Sequence, residues 1–457
     1  MQAGTSGRDT CPGGIRRHVF FAAGYHPMTV QDHFRVFRRE LERFGSVWSA
    51  AARCVDAEPI PTATGALWHV EAEGPDWSAR ARFEMLAWND IAAADMERPL
   101  ASHLKGQLRA VADMIASGTL VRYFRASRRY GIFFTLTYVV LALLWGLAAG
   151  LGWLTAGLLA PAVGGILAAV AGGAVALTAG FGLMRWPGRG LNLKQSLDLA
   201  EFSVDLAHGR HPEVDQRVAA FARRIAEVAA SPDIDEVVVA GHSLGAMHVI
   251  GALAAALDAD PAFGRTVPVR LLTLGSTTAK FALHPAGERL RAAARRVAEA
   301  KAIGWLEIQS RDDIVSFYKV DPVTLQRAHL VAHTTAPGDY FVHPLIRHVP
   351  IREMITPATY RRFYFDVMRL HCQCFLAGDR RARHDFYAYV CAPVPFDALA
   401  ADTDGLLAYV DASGRRAGAP NPSGARWPSS SSPRSPGRSA SRPGTCCASP
   451  SSARRAG

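Results

Sequence analysis

The stretch Glu236–Leu253, EVVVAGHSLGAMHVIGAL, decides the fold of this chain. Glu236–Ala240 reads as a buried strand, and it runs straight into Gly241-His242-Ser243-Leu244-Gly245, after which Leu244–Leu257 is Ala-rich and helical. The pattern GxSxG arises easily by chance, and only its context gives it weight. A strand before it and a helix after it put Ser243 on a sharp strand-to-helix turn. Such a turn strains the serine backbone and leaves no room for side chains two positions away, which is what the flanking glycines relieve. The serine Oγ then stands above the sheet, where the positive end of the helix and the Leu244 N–H can stabilise an oxyanion.

Outward from this elbow, strand-like and helix-like segments alternate. His18–Ala23 (HVFFAA) is a short apolar run ended by Gly24 and Pro27, and Ala81–Ala87 (ARFEMLA) alternates before Trp88, Asn89 and Asp90. Leu193–His208, Glu213–Ala229 and Ala286–Ala300 have helical spacing, whereas Val269–Leu274 (VRLLTL) and Trp305–Ile308 (WLEI) read as strands. Strands separated by helices predict an α/β fold with a mostly parallel sheet.

One segment does not belong to that pattern. Gly131–Met184 contains no charged residue in 54 positions. As one helix it would be about 81 Å long, against a hydrocarbon core of about 30 Å. Two crossings fit, predicted at Tyr130–Gly152 and Ala162–Met184 with a turn in Trp153–Pro161, where Gly157 and Pro161 punctuate the pattern. Arg122, Arg125, Arg128 and Arg129 precede this hairpin, Arg185, Arg189 and Lys194 follow it, and the connection is uncharged. The positive-inside rule puts both flanks in the cytoplasm, with Tyr130, Trp153 and Trp186 near the interfaces. Two spans without an ionisable residue offer no ion path. Gly152, Gly164, Gly165, Gly172 and Gly173 would let the two helices approach closely.

The expected organisation is a disordered N-terminus (1–16), a first part of the α/β domain (17–125), the hairpin (126–190), a second part with the elbow (191–411) and a disordered basic tail (412–457). Lys+Arg exceed Asp+Glu by 51 to 40. Eight of the arginines lie in 412–457 without one acid, which leaves the rest of the chain at +3. The body is nearly neutral, so no nucleic-acid partner is expected. Seven cysteines (Cys11, Cys54, Cys372, Cys374, Cys391, Cys446, Cys447) form no CxxC pair and no zinc spacing, which fits a reducing compartment. The first 17 residues lack the apolar core of a secretory signal. No phosphate-cradling glycine loop or metal-ligand cluster stands out, so neither a cofactor nor a metal is expected.

A serine hydroxyl is a poor nucleophile unless a histidine takes its proton and a carboxylate orients that histidine, here in the order Ser, Asp, His. In WLEIQSRDDIV a strand runs into an acidic loop, offering Asp312 or Asp313; Asp313, followed by the apolar Ile314 and Val315, is preferred. The histidine stays open among His371, at the end of TYRRFYFDVMRLH, and His343 or His348, with His333 also downstream.

These residues carry a resemblance. FFAAGYHP, WNDI at Trp88–Ile91, the Arg-flanked hairpin, VVVAGHSLGA, EIQSRDDIV and TYRRFYFDVMRLHCQ together resemble a group of bacterial, membrane-associated α/β-hydrolases, over about Arg16 to Pro395. The resemblance implies a lipase- or esterase-like serine hydrolase with Ser243 as nucleophile, Asp313 as the carboxylate and His371 as the base. It also implies a second oxyanion donor from the AAGYHP loop, the Tyr25 N–H beside the Leu244 N–H. The paired Cys372 and Cys374 and the Arg/Ser tail depart from that pattern. The expectation is an integral protein of a bacterial inner membrane, its catalytic domain and both termini cytoplasmic, cleaving a small acyl substrate, a carboxylic ester or thioester, at the lipid bilayer. The alternative is a non-catalytic α/β-hydrolase-fold scaffold or interaction protein in the membrane.

Overall fold

The strand before the elbow has no wet face. In the computed structural model, which describes residues 14–186, 193–328 and 344–417, β6 (Glu236–His242), β7 (Val269–Leu274) and β8 (Ile303–Gln309) are buried at every position, and β1 (Arg16–Ala22) at every position but its first. Strands covered by helices on both sides read as continuous apolar runs, which is why these were legible. The other strands are β2 (Ala51–Cys54), β3 (Ile60–Thr62), β4 (Gly65–Glu73), β5 (Ser78–Leu86) and β9 (Leu345–His348). The order across the sheet is β2-β4-β5-β1-β6-β7-β8-β9, with β3 beside β4. From β5 to β9 all pairs are parallel, and β2, β3 and β4 join antiparallel at one edge.

Helices cover both faces. They are α1 (Val30–Trp48), α2 (Asn89–Met96), α3 (Leu100–Ala116), α4 (Thr119–Ala126), α5 (Arg128–Val163), α6 (Gly165–Arg185), α7 (Leu193–Ala207), α8 (Pro212–Ala229), α9 (Leu244–Ala259), α10 (Thr278–Ala282) and α11 (Glu288–Ala298), with short helices after β9. One core joins α1 and the segment after β9 to the first face, and a second joins α8, α9 and α11 to the other. The mixed sheet is therefore mostly parallel, as expected of an α/β fold. Its strand order reverses beside β1, because the chain leaves β1 for β2–β5 on one side and returns to β6 on the other. Ala22 pairs with Gly241 there, so the carboxyl ends of β1 and β6 meet. In open α/β sheets this switch point is where ligands bind.

The apolar segment forms α5 and α6, 36 and 21 residues long, both apolar enough to cross a membrane. Only 11% and 17% of their most apolar windows are buried, unlike the core helices of a globular domain. The turn differs from its expected place. α5 continues through Gly157 and Pro161 and ends at Gly164, whose φ of 82° suits glycine. Gly157 costs a helix only propensity, and Pro161 withholds one N–H from the Gly157 carbonyl two residues before the helix ends at Val163, so little of the helix lies beyond the lost bond. Gly152 and Gly172 face each other: a Cβ on Gly172 would lie 2.4 Å from the Gly152 carbonyl oxygen, and the reverse holds equally. Gly165 and Gly173 meet nothing, so their glycines are not needed for packing.

At its base α5 is welded to the domain. Tyr130 stacks on Phe317 at 3.9 Å between centroids, and Tyr123 and Phe134 complete the cluster. Two further expectations need correction. Residues 412–417 belong to the fold: the Gly414 carbonyl accepts from Trp77 Nε1 at 2.8 Å and Arg416 N donates to Asp76, so the polar chain is held by the turn between β4 and β5. At the other end β1 already includes Arg16, whose N–H donates to Asp235. The tail from 418 lies outside the described residues.

The glycine pair gives a test. Gly172→Val should separate α5 from α6 and cost about 1–3 kcal/mol by overpacking, whereas the neighbouring Gly173→Val should be neutral or slightly stabilising. Thermal unfolding in neutral detergent measures both; equal effects would contradict the packing.

Candidate active site

Ser243 sits between β6 and α9 with φ 54° and ψ −119°, a backbone that a residue with a side chain adopts only under constraint. Its neighbours supply the constraint. Its N–H donates to the Leu274 carbonyl at 3.0 Å and its own carbonyl accepts from Thr277 N at 3.3 Å. A Cβ on Gly241 would lie 2.6 Å from Ala246 Cα, and one on Gly245 would lie 2.2 Å from the Ala22 carbonyl oxygen. The glycines of the motif thus admit the turn on one side and bring α9 against β1 on the other.

Asp313 follows β8 and is buried among its partners. It accepts from the Val315 and Ser316 amides at 2.9 and 3.2 Å, and from His371 Nδ1 at 2.8 Å. Burial pushes a carboxyl pKa up, but the His371 ring and these donors outweigh it and hold Asp313 below its ordinary value. With Nδ1 bound to Asp313, His371 keeps Nε2 for another partner. That nitrogen is buried and has none among the described residues. His371 and Ser243 line the same cleft.

The alternatives fall elsewhere. Asp312 accepts from Ile351 N, Arg352 and Tyr360 at 3.1, 3.2 and 3.0 Å, which ties the loop after β8 to the segment after β9. His348 is on β9 with its ring 4.9 Å from Tyr318, bordering a shallow pocket with Arg347 and Glu353, away from Ser243. His343 and His333 lie outside the described residues.

The loop after β1 closes the other side. A Cβ on Gly24 would lie 3.0 Å from Ser243 Cβ and 3.5 Å from its Oγ, so a side chain there would crowd the hydroxyl. Three side chains pin this loop: Trp88 Nε1 donates to Ala23 O at 2.8 Å, Asn89 Nδ2 to His26 O at 2.9 Å and Gln195 Nε2 to Tyr25 O at 3.0 Å. Tyr25 is further fixed by its hydroxyl, which donates to Asp95 at 2.5 Å. Among the described residues no acceptor receives the Tyr25 or Leu244 N–H, although both residues are buried. Tyr25 lines the same cleft as Ser243, and Leu244 follows Ser243 in the chain, so both amides are left without an internal acceptor close in sequence or cleft to the serine, as an oxyanion site needs.

No family model, curated protein or solved structure matches this chain. The geometry of the site stands by itself.

That geometry includes residues the sequence did not single out. His242 lies with its ring 4.6 Å from that of His371 and its Nε2 donates to the His371 carbonyl at 3.3 Å, so it braces the candidate base from behind. Burial, with the neighbouring His371 ring, lowers its pKa well below the ordinary histidine value. Trp88 and Asn89 belong to WNDI, but nothing in that string announces that it staples a loop 63 to 65 residues upstream. α5 adds Tyr130, Phe133, Phe134 and Tyr138 to the cleft wall, and α10 adds Lys280.

Asp113, His208 and His284 also come together, all ligand atoms within 4.8 Å. His284 Nδ1 accepts from Ala286 N, so its Nε2–H donates to Asp113 at 2.6 Å, with His208 Nε2 3.2 Å away from the same carboxylate. These residues could hold a cation, but their hydrogen bonds already account for the cluster.

Asp312→Asn should lower stability by about 1 kcal/mol, because one amide oxygen cannot replace both carboxylate oxygens that accept from Ile351 N and from Arg352 and Tyr360, while leaving the Asp313–His371 pair intact. Thermal unfolding checks the first part. The rate of Ser243 modification checks the second.

Proposed function

We propose that this chain is a membrane-anchored serine hydrolase of the α/β-hydrolase kind, cleaving carboxylic esters or thioesters. The observation that carries the reading is the strained, glycine-flanked Ser243 in one cleft with a histidine whose Nδ1 is held by a buried aspartate and whose Nε2 is unengaged. In this mechanism His371 Nε2 takes the Ser243 proton as Oγ attacks the acyl carbon. The carbonyl oxygen becomes an oxyanion facing the Leu244 and Tyr25 amides. Asp313 keeps its negative charge beside the imidazolium and fixes the tautomer. The protonated His371 then gives its proton to the leaving alkoxide or thiolate, and a water, deprotonated by the same Nε2, releases the acid from Ser243.

In this reading α5 and α6 cross the bilayer as a hairpin. Arg122, Arg125, Arg128 and Arg129 before it and Arg185 after it favour the cytoplasmic face of a bacterial inner membrane for the domain and both termini. The welded base of α5 would hold the cleft at the membrane surface. A non-catalytic scaffold with this fold is the competing reading; it gives no reason for unspent amides or an unengaged His371 Nε2 beside Ser243.

A fluorescent fluorophosphonate separates the two. Wild type should label, Ser243→Ala and His371→Ala should not, and Asp313→Asn should label at least about a hundredfold more slowly. Folded wild type that stays dark would favour the scaffold.

Trp88→Phe tests the second amide. It removes the pin on Ala23, and turnover of a p-nitrophenyl ester should fall about tenfold or more while labelling at saturation persists. Unchanged turnover would mean that the loop after β1 holds itself.

A further inference from the structure

Lys280 has no evident structural purpose for its charge. It lies in α10 at 4% exposure and borders the cleft that contains Ser243 and His371. Its Nζ, with three donors to satisfy, has one hydrogen-bond acceptor, the Leu199 carbonyl at 3.4 Å, and otherwise only the Phe281 ring, whose centroid is 5.8 Å away. No carboxylate lies within ion-pair distance among the described residues, although α7, packed beside it, carries Asp198, Glu201 and Asp205. Those three acids are spent on Lys194, Arg98 and the pair Arg109 and Arg210. Burial alone pulls the Lys280 pKa down to about 7. A buried ammonium left without a counter-charge costs free energy that the fold does not recover.

The rest of the cleft is mostly apolar. Tyr130, Phe133, Phe134 and Tyr138 form a wall that belongs to the base of α5, so it continues onto a helix apolar enough for hydrocarbon. A cation and an aromatic wall that line the same cleft as Ser243 call for a ligand with both characters. We propose that the cleft takes an anionic amphiphile: an ester or thioester whose anionic group pairs with Lys280 and whose hydrocarbon chain lies along the aromatic wall of α5. This specifies the substrate class for the hydrolase reading and rests on Ser243 being the reacting group of the same cleft. Lys280 acts here by binding and takes no part in bond breaking.

Binding can be tested without catalysis. The Ser243→Ala full chain in neutral maltoside detergent is titrated calorimetrically with hexane-1-sulfonate, with hexanol and with inorganic sulfate. The sulfonate should bind at least about tenfold more tightly than either, since it alone offers charge and chain together. Adding Lys280→Met should abolish the advantage over hexanol, leave hexanol affinity unchanged and raise the melting temperature, whereas Lys280→Arg should keep most of the advantage. A sulfonate that binds no better than hexanol, or a preference that survives Lys280→Met, would overturn the assignment. Sulfate binding as tightly as the sulfonate would overturn the amphiphile, pointing to a small soluble anion. Failure of wild type to react with fluorophosphonate while the sulfonate preference persists would refute hydrolysis and leave the ligand class standing.

Discussion

The contact on which the rest of the site depends is the approach of the first turn of α9 to the end of β1. Gly245 lets the helix backbone come so close that any Cβ there would meet the Ala22 carbonyl. That approach brings the Leu244 amide and Ser243 beside the loop of Gly24 and Tyr25. It can occur only where β1 and β6 are neighbours and parallel, with their carboxyl ends level. The strand order thus makes the place, the glycines make it narrow, and the buried helix start makes it positive. Asp313 and His371 come to it from β8 and from a short helix after β9, held by hydrogen bonds that leave a single ring nitrogen unengaged.

The parts of the fold that could be read from the sequence were those whose burial is complete. EVVVA, VRLLTL, WLEI and HVFFAA are mostly apolar because helices cover both of their faces, with Glu236, Arg270, Glu307 and His18 the buried ionisable exceptions, and the run of 54 uncharged residues could not be mistaken for loop. The antiparallel edge was not legible. β4 alternates buried with half-buried or exposed positions, but Ala66 and Ala72 on the buried side and Leu67 on the other blur the polar–apolar contrast, and β2 and β3 are too short to carry a signal. The turn at Gly164 was misplaced because Pro161 and Gly157 look like breakers in sequence, whereas a long apolar helix absorbs both.

The site divides in the same manner. Ser243 announces itself because its local backbone demands glycines at fixed offsets, and Asp313 because its loop follows a readable strand. His371 could be favoured but not chosen on sequence, since pairing with Asp313 is a contact across 58 residues that no local spacing encodes. His242, Trp88, Asn89, Gln195 and Lys280 act through contacts of the same long range. An apolar-looking helix segment, Thr278–Ala282, gives no hint that its lysine turns inward. The base of α5 joins these observations, because the helix that would anchor the chain is also a wall of the cleft, so the proposed anchoring and the proposed ligand site would share one set of aromatic residues.

The most direct measurement is the mass of the tryptic peptide that carries Ser243, taken after mixing the protein with a p-nitrophenyl ester and quenching in acid within the first turnover. The account requires the acyl mass on Ser243, present at early times and absent in Ser243→Ala. An unmodified peptide from protein that releases nitrophenol, or the acyl group on Lys280 instead, would contradict it.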